Sequence, residues 1–197
     1  DPEAVEDCER RAMDRLESFE SPATTFQVLV HLCIARFEME DHDRVPPLIA
    51  GLREVVDKNG IVPLYVEIWE GWLRARSGDL EGGLRAMEVA QTQRQQYGLW
   101  MPGCTLLRVQ LLAEAGRHDA ALEVLNRCDT EIARYRHAYL RPEAMRRRAL
   151  SRRALGAPAS EVRDLLERAA ETARQQGTRR FERLACEALS GLRAAPV

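Results

Sequence analysis

The chain has 197 residues, of which 45% are hydrophobic and 30% charged, and its formal net charge is −2. This composition suits a folded core and excludes a disordered tail, and no apolar run approaches the roughly 18 residues that a membrane-spanning helix needs. Its charge is uneven, since residues 1–99 hold 11 basic and 19 acidic side chains and residues 100–197 hold 18 and 12. Five scattered cysteines, at 8, 33, 104, 128 and 186, predict reduced thiols, the last four of them buried, and a cytoplasmic protein.

The first predicted element is a helix over residues 2–19. It begins in an acidic stretch without the basic start and apolar run of a signal peptide. This helix has no partner before it and is typical of the second helix of an earlier hairpin. We therefore expect residues 1–197 to form one repeat domain that is the C-terminal fragment of a larger protein, with a natural terminus at its end.

Turn residues recur along the rest of the chain with a period of about 39 residues. Gly60, Gly98 and Gly177 follow helical patterns, and His137 stands where the missing glycine belongs. A second series, Gly78, Gly116 and Gly156, runs out of phase with the first. Every period thus contains two helices and two turns.

The helices themselves show apolar residues spaced three and four apart, without the alternation of strands. Ten helices are predicted, near 2–19, 22–40, 43–58, 62–77, 80–96, 100–115, 118–135, 141–155, 158–176 and 178–193. The predicted fold is all-α, an α-solenoid of about five helical hairpins coiled into a right-handed superhelix.

Two segments carry a family resemblance. Residues 78–90 (Gly-Asp-Leu-Glu-Gly-Gly-Leu-Arg-Ala-Met-Glu-Val-Ala) and 116–125 resemble the second helix of tetratricopeptide repeats (TPR). Residues 147–177 resemble the C-terminal repeats of bacterial signalling ATPases, either cyclase–ATPase–TPR proteins or maltose-activator/LuxR-like regulators. The resemblance implies a regulatory repeat domain that binds a protein or peptide, or other domains of its own chain, and restrains catalytic domains elsewhere.

No catalytic motif stands out in this segment. The phosphate-binding loop and the dinucleotide-binding glycine pattern are absent, and no histidine has zinc-site spacing, so we expect no enzyme, cofactor or metal. The triplet Asp41-His42-Asp43 could bind a cation, but it precedes a helix that Asp43 is expected to cap.

Two surfaces are candidates for partner binding. Tyr65, Trp69 and Trp72 share one helix face, with Trp100 in a following turn. They belong either to the core between helices or to a groove that anchors a peptide or an apolar effector. On the helix 141–155, Arg141, Arg148 and Arg152 share a face, and Arg146, Arg147 and Arg153 form another. These arginines form a solvated, internally paired face, a dock for an acidic protein segment, or a nucleic-acid contact, which the overall charge disfavours.

Three functions are considered: a protein-interaction domain, a sensor of a small molecule or peptide, and an all-α enzyme. For the enzyme, the sequence offers no set of catalytic residues. Pairing of exposed solenoid ends adds a homodimer as a further expectation.

Overall fold

The computed structural model describes residues 2–16, 21–38, 41–61, 64–96, 102–134 and 136–193. These residues form ten α-helices and no strand, which confirms the predicted all-α fold. The helices are α1 Pro2–Leu16, α2 Pro22–Glu38, α3 Val45–Asn59, α4 Leu64–Arg76, α5 Leu80–Gln96, α6 Pro102–Glu114, α7 His118–Arg134, α8 Arg141–Ala154, α9 Ala159–Gln175 and α10 Arg179–Arg193. Short 3₁₀ turns at His42–Arg44 and Ala138–Leu140 lead into α3 and α8.

Left-handed residues end the helices where the repeat predicts them. Gly60, Gly78, Gly116, Gly156 and Gly177 all have positive φ, a conformation that costs a residue with a Cβ about 1 kcal/mol or more. After each of these five helices the chain closes a backbone hydrogen bond that reaches back five residues, such as Arg117 N to Leu112 O at 2.8 Å. Gly98 lies outside the described residues.

One turn departs from the prediction. His137 has φ −82°, and the left-handed residue before α8 is its neighbour Arg136, at φ 58°. Likewise Asp43 does not cap α3, because it lies inside the 3₁₀ turn and the residue before α3 is Arg44. The carboxylate of Asp41 instead accepts a bond from Arg36 at 2.9 Å.

Consecutive helices pack together as helical hairpins: α2 with α3, α4 with α5, α6 with α7 and α8 with α9. In addition, α1 packs on α2, and α10 packs on both α8 and α9. The second helices bury the predicted apolar positions, including Met87, Leu125 and Leu166. This arrangement is a TPR-like α-solenoid, and its handedness stays a prediction.

The chain divides into two compact units, Asp1–Tyr97 and Gly98–Val197. Unit 1 contains α1 to α5 and unit 2 contains α6 to α10. Each unit has its own core: Leu52, Ile68 and Trp69 are buried in unit 1, and Leu107, Ile132 and Leu166 in unit 2.

Candidate functional site

The aromatic stripe of α4 lies in the core of unit 1. Trp69 and Trp72 are only 2% and 1% exposed. Both meet Phe37 edge to face, with ring centroids 6.0 and 5.9 Å away, and His42 stands 5.3 Å from Trp72. These rings therefore join α2 to α4, which is the structural interpretation of the stripe. A binding role for Trp69 and Trp72 stays a prediction, and it would require the helices to part.

Tyr65 is the half-buried member of the stripe. Its ring lies between Phe26, whose centroid is 5.8 Å away, and the guanidinium of Arg94, which stacks over it at 3.6 Å. Arg94 is itself almost fully buried on α5. The pair forms a cation–π contact between the two helices of a hairpin. Trp100 lies outside the described residues.

Most arginines of the predicted α8 face are engaged within unit 2. Arg148 donates to Asn126 at 2.8 Å and to Asp129 at 2.7 Å, so it ties α8 to α7. Arg152 pairs with Glu161 of α9. Arg141 is exposed, and within the described ranges no hydrogen bond or ion pair of its side chain is found. The three residues thus do not act as one surface: Arg148 and Arg152 pair with different helices, and Arg141 is exposed.

The most organised polar group of unit 2 surrounds Glu143 on α8. Its carboxylate is buried and accepts two bonds from Arg146, both at 2.7 Å, and one from Arg147 at 2.6 Å. Arg147 also donates to Gln110 of α6 at 3.3 Å, and Gln110 donates to Glu114 at 2.7 Å. The sequence pointed to the two arginines but not to their partners. Glu143 could have been found from its spacing of three and four residues to them, whereas Gln110 lies 37 residues from Arg147 and only packing brings the two together. We call Glu143, Arg146, Arg147 and Gln110 the α8 network.

Electrostatics reinforce this network. Burial works against the charged form of Glu143, but Arg147 and Arg146 outweigh it, and the net effect lowers the pKa of this carboxyl. The buried carboxylate is therefore ionised at neutral pH. Because two guanidinium groups share one carboxylate, the α8 network keeps a net positive charge.

Charge in unit 2 separates between two layers of helices. The layer of α6, α8 and α10 holds eleven arginines against four acidic residues, a net +7. The layer of α7 and α9 holds five basic and eight acidic residues, a net −3. A polyanion approaching unit 2 is therefore drawn towards the first layer.

The cysteines divide into two environments. Cys33, Cys104 and Cys128 are buried, as predicted, and burial raises the pKa of Cys33 and of Cys128 to about 12. Cys186 is exposed, contrary to the prediction, because it lies on the side of α10 away from Ala185, which faces the core. None of the described residues forms a cluster of three or more histidine, cysteine or acidic side chains suited to a metal ion. Among the described helices, none combines the length and the apolar composition that crossing a membrane requires.

No protein-family model and no curated protein matches this chain. Among solved structures it is similar to Bacillus thuringiensis PlcR in complex with the peptide PapR7 and DNA. The likeness covers 93% of this chain and 68% of PlcR, with a TM-score of 0.73 and 15% sequence identity. At this identity the likeness shows the fold alone, and it agrees with the TPR-like solenoid.

Proposed function

We propose that this chain is a non-catalytic regulatory domain that binds a peptide or a protein segment. The observation that carries the proposal is the likeness to PlcR over 93% of the chain, because that structure was solved with a peptide bound. A shared fold transfers the scaffold and not the ligand, so the peptide is our proposal for this chain. Stacked hairpins suit this role because they present long rows of side chains on one layer of helices.

The wider setting of the domain is also a proposal. The resemblance of residues 147–177 supports a bacterial, cytoplasmic signalling protein in which a cyclase or a transcription-regulating ATPase is restrained by these repeats. Other domains of the same chain are then candidate partners. Sequencing the complete gene tests this setting, since a cyclase or ATPase domain should stand beside the repeats.

Peptide display tests the binding function directly. Purified protein would select peptides from a random display library, and the enriched peptides would be titrated in fluorescence polarisation beside scrambled versions. We expect saturable one-to-one binding that scrambling abolishes. If no selected peptide binds more tightly than its scrambled version, the proposed function is contradicted.

DNA belongs in the same assay because the PlcR structure also contains DNA. We propose that this segment itself binds no nucleic acid, since unit 1 carries a net negative charge and the two units together are close to neutral. A labelled duplex should show no saturable binding at physiological salt. Tight, salt-dependent duplex binding would make this part of the proposal wrong.

A second candidate function is the sensing of a small effector by unit 1. The observation that favours it is Tyr65, which is half-buried between Phe26 and Arg94 and lies on the same helix as Trp69 and Trp72. An effector bound there should change the emission of the buried tryptophans. If metabolites and nucleotides leave that emission unchanged while selected peptides bind, the peptide-binding function is preferred.

A further inference from the structure

We propose that the α8 network is the anion-recognising centre of unit 2 and that its occupant is an acidic peptide segment. The inference rests on the proposed peptide-binding function and names the chemistry of its ligand. Arg146 and Arg147 would receive the carboxylates of aspartate or glutamate side chains. Glu143 and Gln110 would act as positioning residues.

The two guanidinium groups are held in place before any ligand arrives. Glu143 fixes Arg146 through two bonds of 2.7 Å and Arg147 through one of 2.6 Å. Gln110 holds Arg147 from α6 at 3.3 Å. A guanidinium has five N–H donors, and these two contacts of Arg147 engage two of them. Side chains that are already ordered lose little entropy when they bind a carboxylate.

Three other arginines show on which sides of α8 its neighbours lie. Arg148 contacts α7, Arg152 contacts α9 and Arg153 donates to the Gly191 carbonyl of α10, at 3.4 Å, while Arg141 is exposed. Ala149, on the α9 side, packs against Val162 and Leu166. At 3.6 residues per turn, positions 143, 146, 147 and 150 share an arc of α8. This arc runs from the α10 side, marked by Arg153, to the α6 side, marked by the bond of Arg147 to Gln110. This arc lies on the layer of α6, α8 and α10, where the net charge is +7.

The low exposure of the two arginines favours a peptide over a nucleic acid as the occupant. The side chains of Arg146 and Arg147 are only 15% and 16% exposed. Duplex binding depends on several basic side chains that reach phosphates, whereas a single peptide carboxylate can be bound by one or two guanidinium groups. Half-buried Leu150 adds an apolar contact beside the charges. Donors that are mostly buried and partly dehydrated form stronger charge-assisted hydrogen bonds.

The test uses a fluorescein-labelled peptide built from repeats of glutamate, leucine and serine, with a control peptide that has glutamine at every glutamate. The decisive variant of the intact chain is Glu143→Gln/Arg146→Gln/Arg147→Gln. It removes the recognition charges without leaving a buried carboxylate unpaired, and it changes the net charge by −1. The matched control is Arg163→Gln on the exposed surface of α9, which also changes the net charge by −1.

We expect the acidic peptide to bind more tightly than its glutamine control. The triple variant should weaken this binding roughly 10-fold or more, whereas Arg163→Gln should change it by less than about 2-fold. Equal losses in the two variants would show a general charge effect and overturn the inference. So would equal binding of both peptides, or a DNA duplex that binds more tightly and depends on the same arginines.

A second variant keeps the test valid if the triple variant does not fold. Arg146→Lys/Arg147→Lys retains both charges beside Glu143 but loses the forked geometry of the guanidinium. It should still prefer the acidic peptide, with affinity reduced several-fold, and wild-type affinity would overturn the inference. Peptides from the display selection separate the two proposals. If they bind the triple variant normally, the α8 network is not the site and the peptide-binding function stands; if no peptide binds the wild type, that function itself is wrong.

Discussion

At the scale of single residues, Glu131 on α7 is a carboxyl group whose ionisation the fold opposes. Burial raises its pKa to about 7 from an ordinary 4.5, and Arg127 and Arg108 offset only part of this effect. The unfolded chain therefore releases this proton near pH 4.5, while the folded chain keeps it until about pH 7. The contribution of this group to the free energy of unfolding is therefore fully present below about pH 4.5 and is lost as the pH rises towards 7.

Glu131→Gln should consequently unfold at a higher temperature than the wild type at pH 8, and the difference should vanish near pH 4. Thermal unfolding followed by circular dichroism across this range measures it. Glu167→Gln, on the exposed surface of α9, is the control that removes one carboxylate elsewhere in unit 2. A constant difference between Glu131→Gln and the wild type at all pH values would contradict the account.

The buried guanidinium of Arg36 connects α1 to the rest of unit 1 through ion pairs. Arg36 is 2% exposed, and its guanidinium pairs with Glu9 of α1 and with Asp41 beyond the end of α2. The side chain thus attaches α1 to the next hairpin. Removing one partner of a buried pair leaves the other charge without compensation.

Arg36→Met should therefore destabilise unit 1 by about 3 kcal/mol and release the amides of α1 to faster hydrogen exchange. Arg44→Met is the comparison, because Arg44 reaches Glu6 only at 3.4 Å and is largely exposed. It should cost about 1 kcal/mol or less. Unchanged exchange in α1 after Arg36→Met would show that apolar packing alone holds this helix.

At the scale of helices, the backbones of α4 and α5 come close together where Gly83 faces Gly71. A Cβ on Gly83 would stand 2.4 Å from the Gly71 carbonyl oxygen and 2.6 Å from the Ala75 nitrogen. Only a residue without a side chain fits this crossing. The spacing of the helices there is set by backbone atoms, which cannot rotate away.

Gly83→Ala should destabilise the protein by roughly 1–3 kcal/mol, because the helices must separate to admit the methyl group. Gly103→Ala on α6 is the matched control, since a Cβ there meets nothing within 4 Å. It should be neutral or stabilise the helix by a few tenths to about 1 kcal/mol. Urea unfolding of both variants measures the change in the free energy of unfolding. Equal changes in the two variants would contradict close packing at Gly83.

Helix positions could be predicted from the sequence because their ends are set by local chemistry. Glycines with positive φ mark five helix ends, and the ten predicted helices match the observed ones to within a few residues. Arg136 escaped prediction because a non-glycine residue carries the left-handed turn there. The partners of the arginines also escaped it, since Arg148 bonds residues 22 and 19 positions away, and only packing brings these together.

At the scale of the whole molecule, the small net charge of −2 conceals an acidic first half and a basic second half. The basic layer of unit 2 should attract acidic peptides at long range, and salt should screen this attraction over a Debye length of about 10 Å at 0.1 M. We expect the association rate of the glutamate-containing peptide to fall several-fold between low and physiological salt, measured by stopped-flow fluorescence. The glutamine control peptide should show little change, and equal salt dependence of both peptides would contradict long-range steering.

Hydrogen–deuterium exchange with a display-selected peptide bound tests the central claim most directly, because it reports binding and its place together. The account predicts slower exchange in α6 and α8, around Gln110 and Arg146, with α7 and α9 unaffected. Protection confined to α7 and α9, or no protection at saturating peptide, would contradict it.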